Sequence, residues 1–209
     1  VRLVQKLLLG GISMPIVYFV ALFGAGAVYP DFSHFSQTAS ELGADGAPYR
    51  WAWAFNVALI LVGALGIAAA IGLFIGCRQL GIGVFLLVLT SIGIGLAMIN
   101  MLMSGLFPLP HPWHSNLLLV LAGVFVPLFG ALVMQKALDK GASMILWLSF
   151  VVAVIFTAPL LGFGGCVTEG NLGLWLRLWA VALLFPIGYL CWSIRGKLLT
   201  SVIQDNHGR

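Results

Sequence analysis

The sequence predicts an all-α, polytopic six-helix transmembrane bundle with both termini in the cytoplasm, and three observations carry this. Of its 209 residues 61% are hydrophobic and only 8% charged, with a mean hydropathy of +1.10, whereas soluble domains carry roughly 25% charged residues. The apolar residues fall into six runs, each close to the ~20 residues a helix needs to cross ~30 Å of hydrocarbon. The basic residues also sort by side. Arg2, Lys6, Arg78, Lys136, Lys140, Arg195, Lys197 and Arg209 lie at the ends of the runs opposite to Arg50 and Arg177, so the positive-inside rule places both termini in the cytoplasm.

The six runs span about 7–29, 51–76, 82–106, 115–135, 144–162 and 171–194, with 195–209 a short cytoplasmic tail, and the whole chain reads as one transmembrane domain. The first run exceeds the 7–15 residues of a signal-peptide core, so it is expected to be a retained helix. Pro30–Arg50 forms the longest connection. The second run stops at the turn Cys77-Arg78-Gln79-Leu80-Gly81, and the third stops at the Pro-rich turn Phe107–His114. The polar stretch Lys136–Ser143 and the Gly-rich turn Gly162–Gly170 bound the fifth run. Pro15, Pro127, Pro159 and Pro186 interrupt four of the helices, each removing one backbone hydrogen bond. Ala64, Ala68, Gly72 and Gly76 recur at four-residue spacing, and Gly123 and Gly130 flank Pro127, which permits close helix approach.

The net charge of +4 is scattered over helix ends and makes no basic patch, so no nucleic-acid partner is expected. Cys77, Cys166 and Cys191 form neither a CxxC pair nor a disulfide framework. The side opposite the termini carries Asp31, Glu41, Asp45 and Glu169 with His34, His111 and His114.

Two loops hold most of this polarity. In the first, Thr38-Ala-Ser-Glu41 fits a capping box, Asp31 suits a cap, and Phe32 and Phe35 suit an interfacial helix. In the second, Phe107-Pro-Leu-Pro-His-Pro-Trp-His-Ser-Asn116, Ser115 is the expected N-cap of the fourth helix and Trp113 suits the aromatic belt. His111 and His114 have a spacing that Zn²⁺ can use, but a third ligand would have to come from His34, Glu41 or Asp45 and no HExxH motif is present. No metal site is assigned, and no cofactor is indicated.

Arg177 lies nearly two turns into the sixth run, where a cation must snorkel, find an acid or line a hydrated cavity. Glu41 is its expected partner, with Glu169 the local alternative; a structural ion pair and a contact to a lipid phosphate are equally good readings. Asn56 and Asn100 lie in the outward halves of their helices and are expected to extend a polar pocket into the membrane, while Thr90, Ser91 and Thr157 suit interhelical hydrogen bonds.

Ser40-Glu41-Leu42-Gly43, Pro48 and Asn56, Gly105-Leu-Phe-Pro108, His114-Ser-Asn116, and Gly173 with Arg177 together resemble the prokaryotic domain-of-unknown-function family 998. That family is one of six-helix membrane proteins, distantly similar to the eukaryotic Frag/DRAM/Sfk group linked to lipid handling. The resemblance implies that Glu41, His114 and Arg177 fall on motif positions and that His34 and His111 do not. It also implies a prokaryotic inner (plasma) membrane.

Three functions follow as expectations. The first is a pocket for a lipid or other amphiphile, lined by Glu41, His114, Arg177 and Asn56. The second is an accessory subunit of a larger membrane complex, its aromatic helices contacting protein partners. The third is an intramembrane hydrolase or acyltransferase with His114 as general base, Glu41 orienting it, and Ser36, Ser40 or a metal-bound water as nucleophile; it ranks last because sequence does not give distances. With no charge near the midplane, a channel or transporter is not expected.

Overall fold

The computed structural model describes residues 2–207, with side chains as far as Ser201. The chain runs through α1 (Arg2–Val28), a short 3₁₀ helix (Ala39–Gly43), α2 (Ala52–Gln79), α3 (Val84–Leu106), α4 (Leu117–Val124), α5 (Val126–Lys136), α6 (Lys140–Leu160) and α7 (Leu172–His207). Among the described residues six stretches are long and apolar enough to cross a membrane, α4 and α5 together making the fourth. Six crossings put the start of α1 and the end of α7 on one face, here the terminal face. The 30–51, 107–116 and 161–171 connections lie on the other, the loop face.

Helix limits differ from the hydropathy limits at the terminal face. The helix read as starting at about residue 7 begins at Arg2, and the stretch read as a tail continues α7 to His207. Hydropathy locates the hydrocarbon slab, whereas Arg2, Gln5, Lys6, Arg195 and Lys197 are good helix formers that extend the rod beyond it. Arg209 lies outside the described residues.

The prolines act unequally. Pro15, Pro159 and Pro186 lie inside continuous helices. Pro127 instead accompanies a break at Phe125. Lacking an N–H, it offers nothing to the Gly123 carbonyl, and the Phe125 N–H turns back to that carbonyl instead.

α2 packs most extensively on α1 and α3, α5 on α6 and α3, and α7 on α1 and α6. The small-residue ladder holds for Gly72 against Leu7 and Leu8, and for Gly76 against Val4, Ile194 and Leu198. It fails for Ala64, which is exposed. The close approach of α2 to α3 is made instead by Gly63, where an added Cβ would lie 2.8 Å from the Met98 carbonyl oxygen. A strict four-residue ladder slips around a 3.6-residue helix, so its far members leave the contact face. Between helices, Ser91 Oγ donates to the Ala70 carbonyl at 3.2 Å and Trp179 Nε1 donates to Thr157 Oγ1 at 2.8 Å. Cys77 and Cys191 are buried and free, and Cys166 is exposed and free.

Candidate functional site

The first loop folds back over the bundle because its short helix is tied at both ends. Glu41 Oε1 accepts the Thr38 N–H at 2.7 Å and the Thr38 hydroxyl at 3.1 Å, and Oε2 accepts from Gln37 Nε2 at 3.0 Å. This is the carboxylate half of the expected capping box. At the other end Asn56 Nδ2, on the second turn of α2, donates to the Gly43 carbonyl at 2.8 Å. Leu42, between the two ties, is fully buried in the core. Phe32 is part-buried among Tyr29 and His34 while Phe35 is exposed, and residues 31–37 form turns rather than an interfacial helix.

Arg177 is 8% exposed, and it pairs with neither Glu41 nor Glu169. Its Nε donates to His34 Nδ1 at 3.1 Å, and its Nη1 donates to the carbonyls of Gln37 at 2.9 Å and Gly173 at 2.7 Å. Its guanidinium carbon sits 5.5 Å from the Phe32 ring centre. Planar guanidinium donors match backbone carbonyls, and a neutral partner set avoids the desolvation of a second charge. Burial first, then the Arg177 charge, holds His34 below the ordinary imidazole range, so the ring is neutral and its Nδ1 accepts. Gly173 makes the clamp possible, since a Cβ there would collide with the carbonyl oxygens of Gln37 and His34. Arg177 therefore fastens the first loop to α7, and the hydrogen-bonded link from Glu41 to it runs through Gln37.

His114 is buried and connects the two loops. Its Nδ1 lies 2.9 Å from the Phe107 carbonyl oxygen and its Nε2 lies 2.7 Å from Ser40 Oγ. A carbonyl only accepts, so Nδ1 carries the proton and, in the neutral ring, Nε2 accepts from the Ser40 hydroxyl. The backbone around His114 is held as well, for Ser104 Oγ donates to its carbonyl at 2.7 Å. His111 diverges from it. That ring stacks on Phe107, and its Nδ1 accepts the Trp113 N–H. Among the described residues no three His, Cys, Asp or Glu side chains gather as a metal-ligand group. The N-cap of α4 is Asn116 rather than Ser115. Its Oδ1 accepts from Leu118 and Leu119 N–H groups, and its own N–H is held by Asn100 Oδ1 at 2.7 Å.

Beneath this roof lies a cavity of about 370 Å³, within the range of small-molecule sites. Towards the loop face its wall carries Thr38, Ser40, Ser104 and Ser115 beside the apolar Phe55, Leu109 and Leu176; deeper it carries Asn100, Leu59 of α2, Ala97 and Met98 of α3, and Ala180, Leu183, Leu184 and Ile187 of α7. Tyr18 of α1 also lines it. Ile187 lies about 20 Å along α7 from its start, at 1.5 Å per residue. Apart from Tyr18, its hydroxyl and amide groups thus gather in the half nearer the loop face, and its deepest wall is apolar.

Of the four residues expected to line a pocket, Glu41, His114, Arg177 and Asn56, none lies on the cavity wall; all four hold its roof. Ser36 is absent from the wall, and Ser40 is on it. Tyr18 and Ser104 escape sequence reading, because a lone hydroxyl on an apolar helix has the same pattern whether it faces a cavity or a neighbouring carbonyl. His34 as the arginine's partner also escapes, since that choice rests on how the loop closes.

No curated protein and no solved structure matches the chain. Residues 12–193 match the family described as "Protein of unknown function (DUF998)", a stretch that contains the sequence motifs and reaches into all six apolar helices. The chain is an integral membrane protein and belongs to the DUF998 family.

Proposed function

We propose that this protein binds an amphiphile with a single acyl-type chain, taken from the outer leaflet of a prokaryotic plasma membrane, in the cavity under the first loop. The observation that supports this reading is the distribution along the cavity: the hydroxyls of Thr38, Ser40, Ser104 and Ser115 and the Asn100 amide lie in the half nearer the loop face, and aliphatic side chains with Met98 make up most of the depth. A headgroup finds hydrogen-bond partners at one end, and the chain finds apolar walls at the other. Apolar lining with a few placed polar groups is the usual make-up of a ligand site. The outward direction of the loop face rests on the positive-inside distribution of Lys and Arg.

The test is photo-crosslinking of the full chain in vesicles with a diazirine-labelled fatty-acyl amphiphile, followed by peptide mapping. Adducts are expected on the α3 and α7 segments that carry Met98 and Leu183, and the variant Ala180→Phe, which fills the cavity from its wall, is expected to abolish them. Adducts confined to lipid-facing residues such as Phe85 and Trp192, unchanged in Ala180→Phe, would overturn the reading in favour of an ordinary lipid annulus.

A further inference from the structure

We propose that Ser40 is an acyl-accepting nucleophile with His114 as its general base, so that the cavity is a site of ester or thioester cleavage and not of binding alone. The inference rests on the amphiphile reading of the same cavity. It adds a reaction that the reading does not require.

Three observations converge on it. Ser40 is on the cavity wall while His114 stands behind it, so the order from the cavity outward is hydroxyl, imidazole, Phe107 carbonyl. The 2.7 Å separation of Oγ and Nε2 is within the reach a nucleophile and its base require. The tautomer is also fixed in the productive sense. The Phe107 carbonyl holds the proton on Nδ1, leaving the Nε2 lone pair on the serine, which is the orienting role that a third group plays in hydrolytic triads. A hydroxyl needed only to tie the loop down would be equally served by a backbone carbonyl. Here it meets a base.

The chemistry balances with water as the only co-reactant. The Ser40 Oγ–H proton passes to His114 Nε2 as Oγ bonds to the acyl carbon and the carbonyl electron pair moves onto oxygen. Collapse of that oxyanion breaks the bond to the leaving alcohol or thiol, which takes the proton from Nε2. Water then adds to the acyl-serine, giving its proton to Nε2. Departure of Oγ, which recovers that proton, releases the carboxylic acid. Asn100 lines the same cavity with its Oδ1 engaged by the Asn116 N–H, and no protein acceptor takes its Nδ2 among the described residues. That amide end is a donor of the kind that stabilises an oxyanion.

The experiment treats the full chain in vesicles with a long-chain alkyl fluorophosphonate, which phosphonylates activated serines with loss of fluoride, and maps the adduct by peptide mass. Label on Ser40, with Ser36, Ser104 and Ser115 unlabelled in the same sample, is expected. His114→Gln, which retains a hydrogen-bonding side chain, is expected to slow labelling by about 100-fold or more, the usual contribution of a general base. The diazirine amphiphile is run in parallel on the same preparations. Cross-linking in the cavity without phosphonylation of Ser40 would overturn the proposal and leave the binding reading intact. Phosphonylation that is equal in His114→Gln, or that falls on several serines alike, would overturn it too. His114-dependent labelling of Ser40 without amphiphile cross-linking would sustain the nucleophile and remove the proposed ligand. If His114→Gln does not fold, the selectivity for Ser40 within the wild-type chain decides alone.

Discussion

The two ends of this bundle are held together by different means. At the terminal face the helices meet through small residues: Gly11 against Ala69 and Cys191, Gly72 against Leu7, Gly76 against Val4 and Leu198. Side-chain polar contacts there are few, one being the Lys197–Asp139 ion pair at 3.3 Å, with both side chains about a third exposed. At the loop face the chain is fixed by long-range hydrogen bonds: Arg177 to the first loop, His114 to Ser40, Asn56 to Gly43. The difference follows from what each end must organise. Straight helices in lipid need only shape complementarity. Irregular backbone near the membrane must have its carbonyls and N–H groups satisfied from within the protein, and a roof over a cavity must hold one shape.

The strongest test of this contrast compares two glycines of α7. A Cβ at Gly173 would collide with loop carbonyls, whereas one at Gly196 would meet nothing within 4 Å. Gly173→Ala is expected to lose about 3 kcal/mol through overpacking and displaced Arg177 hydrogen bonds, a fall of about 10 °C in the unfolding midpoint for a chain of this size. Gly196→Ala is expected to be neutral or to gain up to about 1 kcal/mol by helix propensity. The buried thiols of Cys77 and Cys191 report unfolding by reaction with a thiol-specific dye once exposed Cys166 has been blocked. Equal midpoints for the two variants would break the comparison.

Arg177→Lys comes next. An ammonium keeps the charge but lacks the fork that reaches His34 and the Gln37 and Gly173 carbonyls together. A loss of about 2 kcal/mol is expected from buried acceptors left unpaired. Hydrogen exchange should rise in residues 31–43 and stay unchanged in α5 and α6. Uniform acceleration would mean that the arginine serves the whole bundle rather than the loop.

The contrast explains what the sequence discloses. Six crossings, the four proline positions and the polar character of one face are legible because hydropathy and charge are local along the chain. The capping box at Thr38–Glu41 is legible for the same reason, all its atoms lying within one turn. Arg177 was legible as an anomaly but its partner was not, since a guanidinium accepts an acid, an imidazole or carbonyls, and only the folded loop selects among them. Likewise His114 stands out in the sequence with Ser36, Ser40 or a metal-bound water as alternatives beside it, and the choice of Ser40 is made only by the packing of two different loops. The break at Phe125 and the N-cap at Asn116 depend on which carbonyls find donors after packing, which no periodicity records.

Acid should loosen the two ends in separate steps. His34 is depressed in the folded protein, by burial and then by Arg177, so the stability it contributes is present above the unfolded imidazole value of about 6.5 and is lost as pH falls through the lower folded value. Asp139 is depressed by the Ala142 N–H and, secondarily, by Lys197. Its contribution is present above the unfolded carboxyl value of about 3.9 and disappears only below it. Hydrogen exchange followed from pH 7 downward should therefore open the first loop before the start of α6. His34→Gln should remove the first step alone, and Asp139→Asn the second. A single step shared by both peptides would show that the two ends are not independent.

The smallest effect expected is also the one that discriminates best between the two accounts of Glu41. If the carboxylate neutralised Arg177, Glu41→Gln would leave a buried cation uncompensated and cost about 3 kcal/mol or more. In the observed geometry it accepts from Thr38 and Gln37, and a glutamine oxygen can still accept the Thr38 N–H, as in capping boxes generally. Glu41→Gln is therefore expected to cost less than about 0.5 kcal/mol, and Glu41→Ala about 1 kcal/mol through loss of the cap. The ordering of these two midpoints separates a cap from an ion pair, because only a counter-ion makes the isosteric amide nearly as damaging as alanine.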